Sequence, residues 1–436
     1  MKKSNRKGFT IVELVIVIAV IAILAAVLIP TFTNLIKKAN ESSDMQAVRQ
    51  MNTILSAEGA VEKNNIFDVF DALHEAGLDA KNYKPLVKGT YFFWDDEADR
   101  VVYTDSEFNV IYPKDYKKAE DANWFSLTQT IEAEKPADTN YADGVTVANG
   151  AELLYVLNDI EEKKPATAVI TIPADGIDMM GASFGIDNIA AGTSLTLQGA
   201  DGKQAVLKNV IAVDVAYIGE GKSDSDDGQY YTSLFPKVEG NLTISNVVFE
   251  NIHVKNTHAS CVALLVGKVQ PKATVNISGV EIKDSTVIGH RNVGALIGNI
   301  QGGKDGEGND ISGQATLSGI TMTNVSVLTV GGRSGLLVGV LATSGTTGAF
   351  GKVIVTGDIT LTNCKYDMYT CEQNTGDGYG LKDGVITSWY YSDNTGTKKA
   401  EYKKYCFDAN ALASKDVDND GVGGQTDNTA FAGRIK

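Results

Sequence analysis

The sequence predicts two architectures in one chain. An α+β N-terminal part, one long helix with a small antiparallel sheet, precedes an all-β domain that fits a parallel β-helix best. Three observations carry this reading. An apolar run from Leu14 to Ile29 continues as an amphipathic stripe to Leu55. Three short strand candidates follow, separated by acidic turns. Beyond Val145 a segment recurs with strand-like alternation inside each copy.

From Phe9 to Ile29 the only clearly polar side chains are Thr10 and Glu13. As a helix this segment is about 30 Å long, enough to cross a bilayer core. Lys2, Lys3, Arg6 and Lys7 precede it and should stay cytoplasmic. Glu13 breaks the hydrophobic logic, because a carboxylate inside a membrane-length segment is costly and points to function. An ordinary signal peptide carries its small-residue cleavage site after the apolar region. Here Gly8 comes before it, so cutting there leaves the apolar helix on the mature chain.

The run Lys7-Gly8-Phe9-Thr10-Ile11-Val12-Glu13 resembles the signature of the type IV prepilin family, and Pro30 lies near a proline common in that family's long helix. The resemblance covers about 7 to 32. It implies a leader of residues 1–8, removed after Gly8 by a prepilin peptidase that then methylates Phe9. It implies a helix, 9–30, that is held in the plasma membrane before assembly and packs into an extracellular or cell-surface filament afterwards. Other pilin subunits are the implied partners, with Glu13 meeting a neighbour's terminal amine. The residues agree, since a buried carboxylate needs a cationic partner and a freed Phe9 amine supplies one. A plain membrane anchor explains neither Glu13 nor Lys7-Gly8-Phe9.

Residues 31–113 read as a pilin-like helix and β-meander. Met45, Val48, Met51 and Leu55 recur at helical steps, and Pro30 should bend the helix rather than end it. A second helix is expected from Ile66 to Ala76, with Asn65 as its cap and Gly77 as its end. Strands are expected at Thr90–Trp94, Arg100–Thr104 and Asn109–Tyr112. Residues 114–143 turn charged and polar and read as a short helix and a linker.

Residues 144–372 read as the repeat domain. Ala151–Ile160 is a short helix that would cap the first layer, and 169–172 and 194–197 are strand-like. Copies begin at Leu242, Val275 and Ala315, giving periods of 33 and 40 residues, with a degenerate copy at Gly357. Asn251, Asp284 and Asn324 fall at one phase and suit turns or left-handed backbone. A second block closes each copy: Ala263-Leu-Leu-Val-Gly267, Ala295-Leu-Ile-Gly298 and Leu336-Leu-Val-Gly339. The runs Val293-Gly-Ala-Leu-Ile-Gly298 and Ser334-Gly-Leu-Leu-Val-Gly339 resemble the GLUG repeats of bacterial surface proteins. The alternative fold is a β-sandwich, which would not require internal similarity. Insertions at Gly219–Gly228 and Gly302–Ser312 are expected as surface loops.

Residues 373–436 contain Asp416-Val-Asp418-Asn-Asp420-Gly421, followed by Val422 and Asp427, which matches a calcium loop apart from Asp where Glu is usual at the last position. Asp416, Asp418, Asp420, the Val422 carbonyl and Asp427 are therefore the candidate Ca2+ ligands, set against an acidic tail. His258, Arg291 and Arg333 share a repeat phase and suit an acidic glycan or surface ligand, or else a solvated turn. Cys261 reads as a buried thiol, Cys364 and Cys371 are near enough in sequence to pair, and Cys406 is unassigned.

The formal net charge of −15 becomes −19 without the four leader cations, which disfavours nucleic acid. No GxSxG, HExxH or paired carboxylates at repeat spacing nominate catalysis. The expected function is a type IV pilin-like structural subunit, not an enzyme, displaying a β-helix for adhesion. The alternatives are a pseudopilin of a type II-like secretion system and a surface-anchored polysaccharide-active β-helix enzyme.

Overall fold

A computed structural model describes residues 11–57, 66–78, 83–120, 122–213, 231–257, 259–290, 292–329, 334–343, 349, 351–367, 380–382 and 387–391. Helix α1 (Ile11–Ala57) runs through Pro30 without ending. Proline has no N–H to offer the preceding turn. Around it, the Thr31 and Thr33 hydroxyls donate to the carbonyls of Val27 and Ile29 at 2.9 and 2.8 Å. Asp44, Val48, Met51 and Leu55 are the buried residues of α1. Their spacing places them on one face.

Helix α2 (Ile66–Glu75) ends one residue before the expected Ala76 and buries Ile66, Phe67, Val69, Phe70 and Leu73. The antiparallel sheet consists of β1 (Tyr91–Asp95), β2 (Arg100–Thr104), β3 (Val110–Tyr112) and β4 (Trp124–Ser126), in the order β3-β2-β1-β4. The fourth strand corrects the expectation for 114–143. Instead of a short helix and a linker, this stretch pairs with β1 through Trp94 opposite Phe125. Three consecutive side chains, Trp124, Phe125 and Ser126, are all buried, too few to register as a period within a polar stretch.

Strand alternation sends the two faces of this sheet into two cores. Phe92, Trp94, Val101, Tyr103 and Phe125 pack with α1 and α2. Phe93, Val102 and Trp124 belong to the core of the β-rich region.

In the β-rich region, parallel strands pair layer on layer and the sheet curls around one apolar interior. Leu195, Leu242, Val275, Ala315 and Val353 align in register, all buried. Helix α3 (Gly150–Lys163) is capped by Asn149, whose side chain accepts from Glu152 N, and packs on this interior through Leu153, Val156, Leu157 and Ile160. Asn251, Asp284 and Asn324 do adopt positive φ, joined by Asn209 and Asn363. Their side chains link layers: Asn251 Nδ2 donates to Asn209 Oδ1, Asn324 Nδ2 to Asp284 Oδ1 and Asn363 Nδ2 to Asn324 Oδ1, each at 2.7 Å.

The insertion at Gly302–Ser312 is not a loop. It extends a strand into an antiparallel hairpin, with Gly302 opposite Ser312 and Lys304 opposite Asp310. The insertion at Gly219–Gly228 lies outside the described residues.

The terminal glycine of the second repeat block has a steric cause. A Cβ on Gly298 would sit 2.7 Å from the Gly267 carbonyl oxygen and 2.8 Å from that of Asn292. We expect Gly298→Ala to destabilise the chain by about 1–3 kcal/mol, the usual cost of overpacking a fitted interior. Gly306, with nothing within 4 Å of its would-be Cβ, is the control. Urea unfolding of both variants checks this, and equal midpoints would remove the packing explanation.

Candidate assembly segment and its anchorage

The first helix divides into two halves of opposite environment. Its large apolar side chains from Ile11 to Ile36 are exposed, from 47% for Leu28 to 80% for Ile11. No part of the described chain covers them, while composition makes this the one candidate membrane span among the described residues. Glu13 lies exposed in its first turn. Gly8 and Phe9 lie outside the described residues.

The lower half is anchored by polar side chains. Asp44, only 2% exposed, accepts from Leu86 N at 2.8 Å, Val87 N at 3.1 Å and the Tyr103 hydroxyl at 3.1 Å. Burial, with the Asp44 carboxylate beside it, pushes the Tyr103 hydroxyl up to about 12. Asn52 clamps the Val101 backbone, donating to its carbonyl at 2.9 Å and accepting from its N–H at 2.7 Å. This completes β2 along the stretch that β3 leaves unpaired. Arg49 donates from Nε to the Tyr112 hydroxyl at 2.9 Å. Sequence reasoning traced the apolar stripe and passed over Asp44. The signal was its place four residues before Val48, a polar side chain on the buried face.

A second set of contacts docks the β-rich region on this body. Gln129 donates to Val213 O at 2.6 Å and accepts from Val213 N at 2.7 Å. Ser126 N donates to Met180 O at 2.8 Å. Lys255 pairs with Asp71 of α2. His253 is wedged between the Phe67 and Phe125 rings, with centroids at 5.7 and 6.2 Å. Its Nε2 lies 2.6 Å from Asn251 Oδ1, while Nδ1 is buried without a partner. Burial drops this imidazole to about 4. Alternation marks position 253 as pointing out of the β interior, and nothing local reveals that a second unit covers it.

Other candidates fare differently. Cys261 is buried, with Asn292 Nδ2 3.6 Å from its sulfur. Cys364 is free and half-buried, hydrogen-bonded to the carbonyls of Met322 and Thr362. Burial raises its thiol pKa. Cys371 and Cys406 lie outside the described residues, as do His258, Arg291, Arg333, Asp416, Asp418, Asp420, Val422 and Asp427. Among the described residues no three His, Cys, Asp or Glu side chains gather as a metal site.

Comparison with known proteins bears on the N-terminus. Residues 3–29 match the prokaryotic N-terminal methylation motif. The chain is 47% identical over 53 residues to type IV major fimbrial protein FimA of Dichelobacter nodosus, which covers 12% of this chain and 34% of that protein. It is 63% identical over 38 residues to the type IV wide pilus major component PilA4 of Thermus thermophilus, covering 9% of this chain and 29% of that protein. The chain thus spans about a third of the length of the curated relatives it matches. No solved structure matches it. The N-terminal segment is homologous to that of type IV pilins.

Proposed function

We propose that this protein is a type IV pilin-like subunit, cut after Gly8, methylated at Phe9 and assembled with other pilins into an envelope filament. The curled β-rich region is a parallel β-helix in this reading, displayed from the filament for adhesion. The observation that carries the proposal is the join between a methylation-motif helix half with its apolar side chains exposed and a half locked to a folded body by Asp44 and Asn52. The exposed half requires lipid first and neighbouring helices afterwards, because apolar area of this extent is not left in water.

Glu13 is the group that distinguishes assembly from simple anchoring. Glu13→Ala makes the segment more apolar, so insertion should persist while surface filament yield falls at least about tenfold for want of one desolvated ion pair. Counting filaments by immunogold, with membrane-bound subunit quantified alongside, tests this. Peptide mass analysis should find N-methylated Phe9 as the first residue. Normal filament yield from the variant, or a mature chain that keeps Met1, removes the proposal.

A further inference from the structure

Where the β2–β3 hairpin meets the first turn of α3, the surface opens into a groove of about 530 Å³. That volume is in the range of small-ligand sites. One wall is apolar, made by Tyr91, Phe108 and Met180, with the Tyr91 and Phe108 ring centroids 5.6 Å apart. The rim carries Glu132, Glu134, Lys135 and Asn149. Glu132 and Glu134 are exposed. Asp178, deeper in, is already engaged, accepting from Met180 N and Asn209 Nδ2. The α3 terminus offers no anion site, since Asn149 Oδ1 accepts from Glu152 N and Glu152 accepts from Ala148 N.

The chain contains an internal comparison for Phe108. The turns Asp105–Asn109 and Asp305–Asn309 are built alike. In each, the Asp Oδ1 accepts from the backbone N–H two residues on at 3.0 Å and four residues on at 2.8 Å. The fourth residue has positive φ in both, +63° at Phe108 and +87° at Gly308. That conformation favours glycine, and the second turn uses one. The first turn places a phenylalanine there, and its ring packs on Phe93 and Tyr91 and forms the groove wall.

We propose that this groove binds an amino sugar, a glucosamine-type pyranose within a polysaccharide chain. The C–H face of the ring stacks on Phe108 and Tyr91, as an amphipathic ligand does on aromatic side chains. Asn149 serves the hydroxyls, and Glu132 with Glu134 holds the ammonium. With Asp178 paired to Lys208 at 3.7 Å, the exposed Glu132 and Glu134 still outnumber Lys135 on the rim, which disfavours acidic glycans and favours a cationic one. The site is separate from the assembly segment, so it stands or falls independently of filament formation.

The test is calorimetric titration of the full-length chain in detergent, at physiological salt and just below neutral pH. The probes are a glucosamine hexamer, its N-acetylated counterpart and hexalysine. The glucosamine hexamer should bind and the other two bind at least about tenfold more weakly. Phe108→Gly removes the ring while giving the turn the residue its sister turn carries. It should weaken binding about tenfold, with circular dichroism confirming the fold. The double variant Glu132→Gln/Glu134→Gln, on exposed positions, should erase the preference for the free amine over the N-acetyl form. Absence of heat with the glucosamine hexamer overturns the proposal. So does equal binding of hexalysine, or unchanged affinity in Phe108→Gly.

Discussion

Asp44→Ala is expected to lower the unfolding free energy by about 3–5 kcal/mol, the largest effect of any single substitution in the N-terminal body. The carboxylate is the acceptor for two backbone N–H groups and one hydroxyl, all donated from the segment 86–103 to the helix. Alanine removes the shared acceptor of two part-buried backbone N–H groups and of the buried Tyr103 hydroxyl, and each orphaned buried group costs about 1–3 kcal/mol. Asp44→Asn keeps the shape and one acceptor oxygen but turns an NH2 toward a donor. It should fall between the two. Urea unfolding of the detergent-solubilised chain, read by tryptophan fluorescence, measures both. A loss below about 1 kcal/mol for alanine would show that water reaches these groups once the side chain is gone.

Acidification should weaken the join between the body and the β-rich region through His253. Its folded value of about 4 lies below the ordinary 6.5. A group with a depressed folded pKa stabilises the fold fully above the unfolded value, and the unfolded chain takes up the proton first as pH falls. Stability should therefore be complete above about pH 6.5 and decline toward about pH 4, losing about 3 kcal/mol across that window. Lys255 and Asp71, the charged pair nearest along the strand and on α2, do not supply an acceptor for Nδ1. Carboxylates act in a lower window. Glu239, held low by its bond from Lys237, keeps its contribution until pH falls through its own depressed value. His253→Phe removes the titration while keeping an aromatic ring between Phe67 and Phe125. Melting curves from pH 7.5 to 4.5 should converge for the variant and diverge for the parent. Parallel curves would mean that His253 is not the group responsible.

What the sequence revealed and what it withheld divide along one physical line. Period and local conformation were legible: the stripe through Val48, Met51 and Leu55, the left-handed Asn251, Asp284 and Asn324, and the short helix at Ala151–Ile160. Each is specified by residues close in the chain. The Trp124–Ser126 strand was missed because a three-residue strand is defined by its partner, Tyr91–Asp95, not by its own pattern. The hairpin at 302–312 was read as a loop because glycine and aspartate signal turns without revealing that flanking residues pair. Asp44, Gln129 and Lys255 act across separations of 42, 84 and 184 residues, in the contacts Asp44–Leu86, Gln129–Val213 and Lys255–Asp71, and His253 reaches Phe67 and Phe125 across similarly long stretches of chain. Of these, only Asp44 leaves a local trace, as a polar residue in phase with the buried stripe; the partners at such range do not.

The unequal spacing of the copies has an evolutionary consequence. Strand registers stay aligned although one period is 33 residues and the next 40. The surplus is discharged sideways, into the hairpin at 302–312, while Gly267 and Gly298 keep the stacked backbones in contact. This insertion thus leaves the paired strands in register, and in stacked repeats duplication of a whole unit extends the stack without rewriting its neighbours. A lineage can lengthen or shorten the β-rich region by recombination between copies while leaving helix α1 untouched.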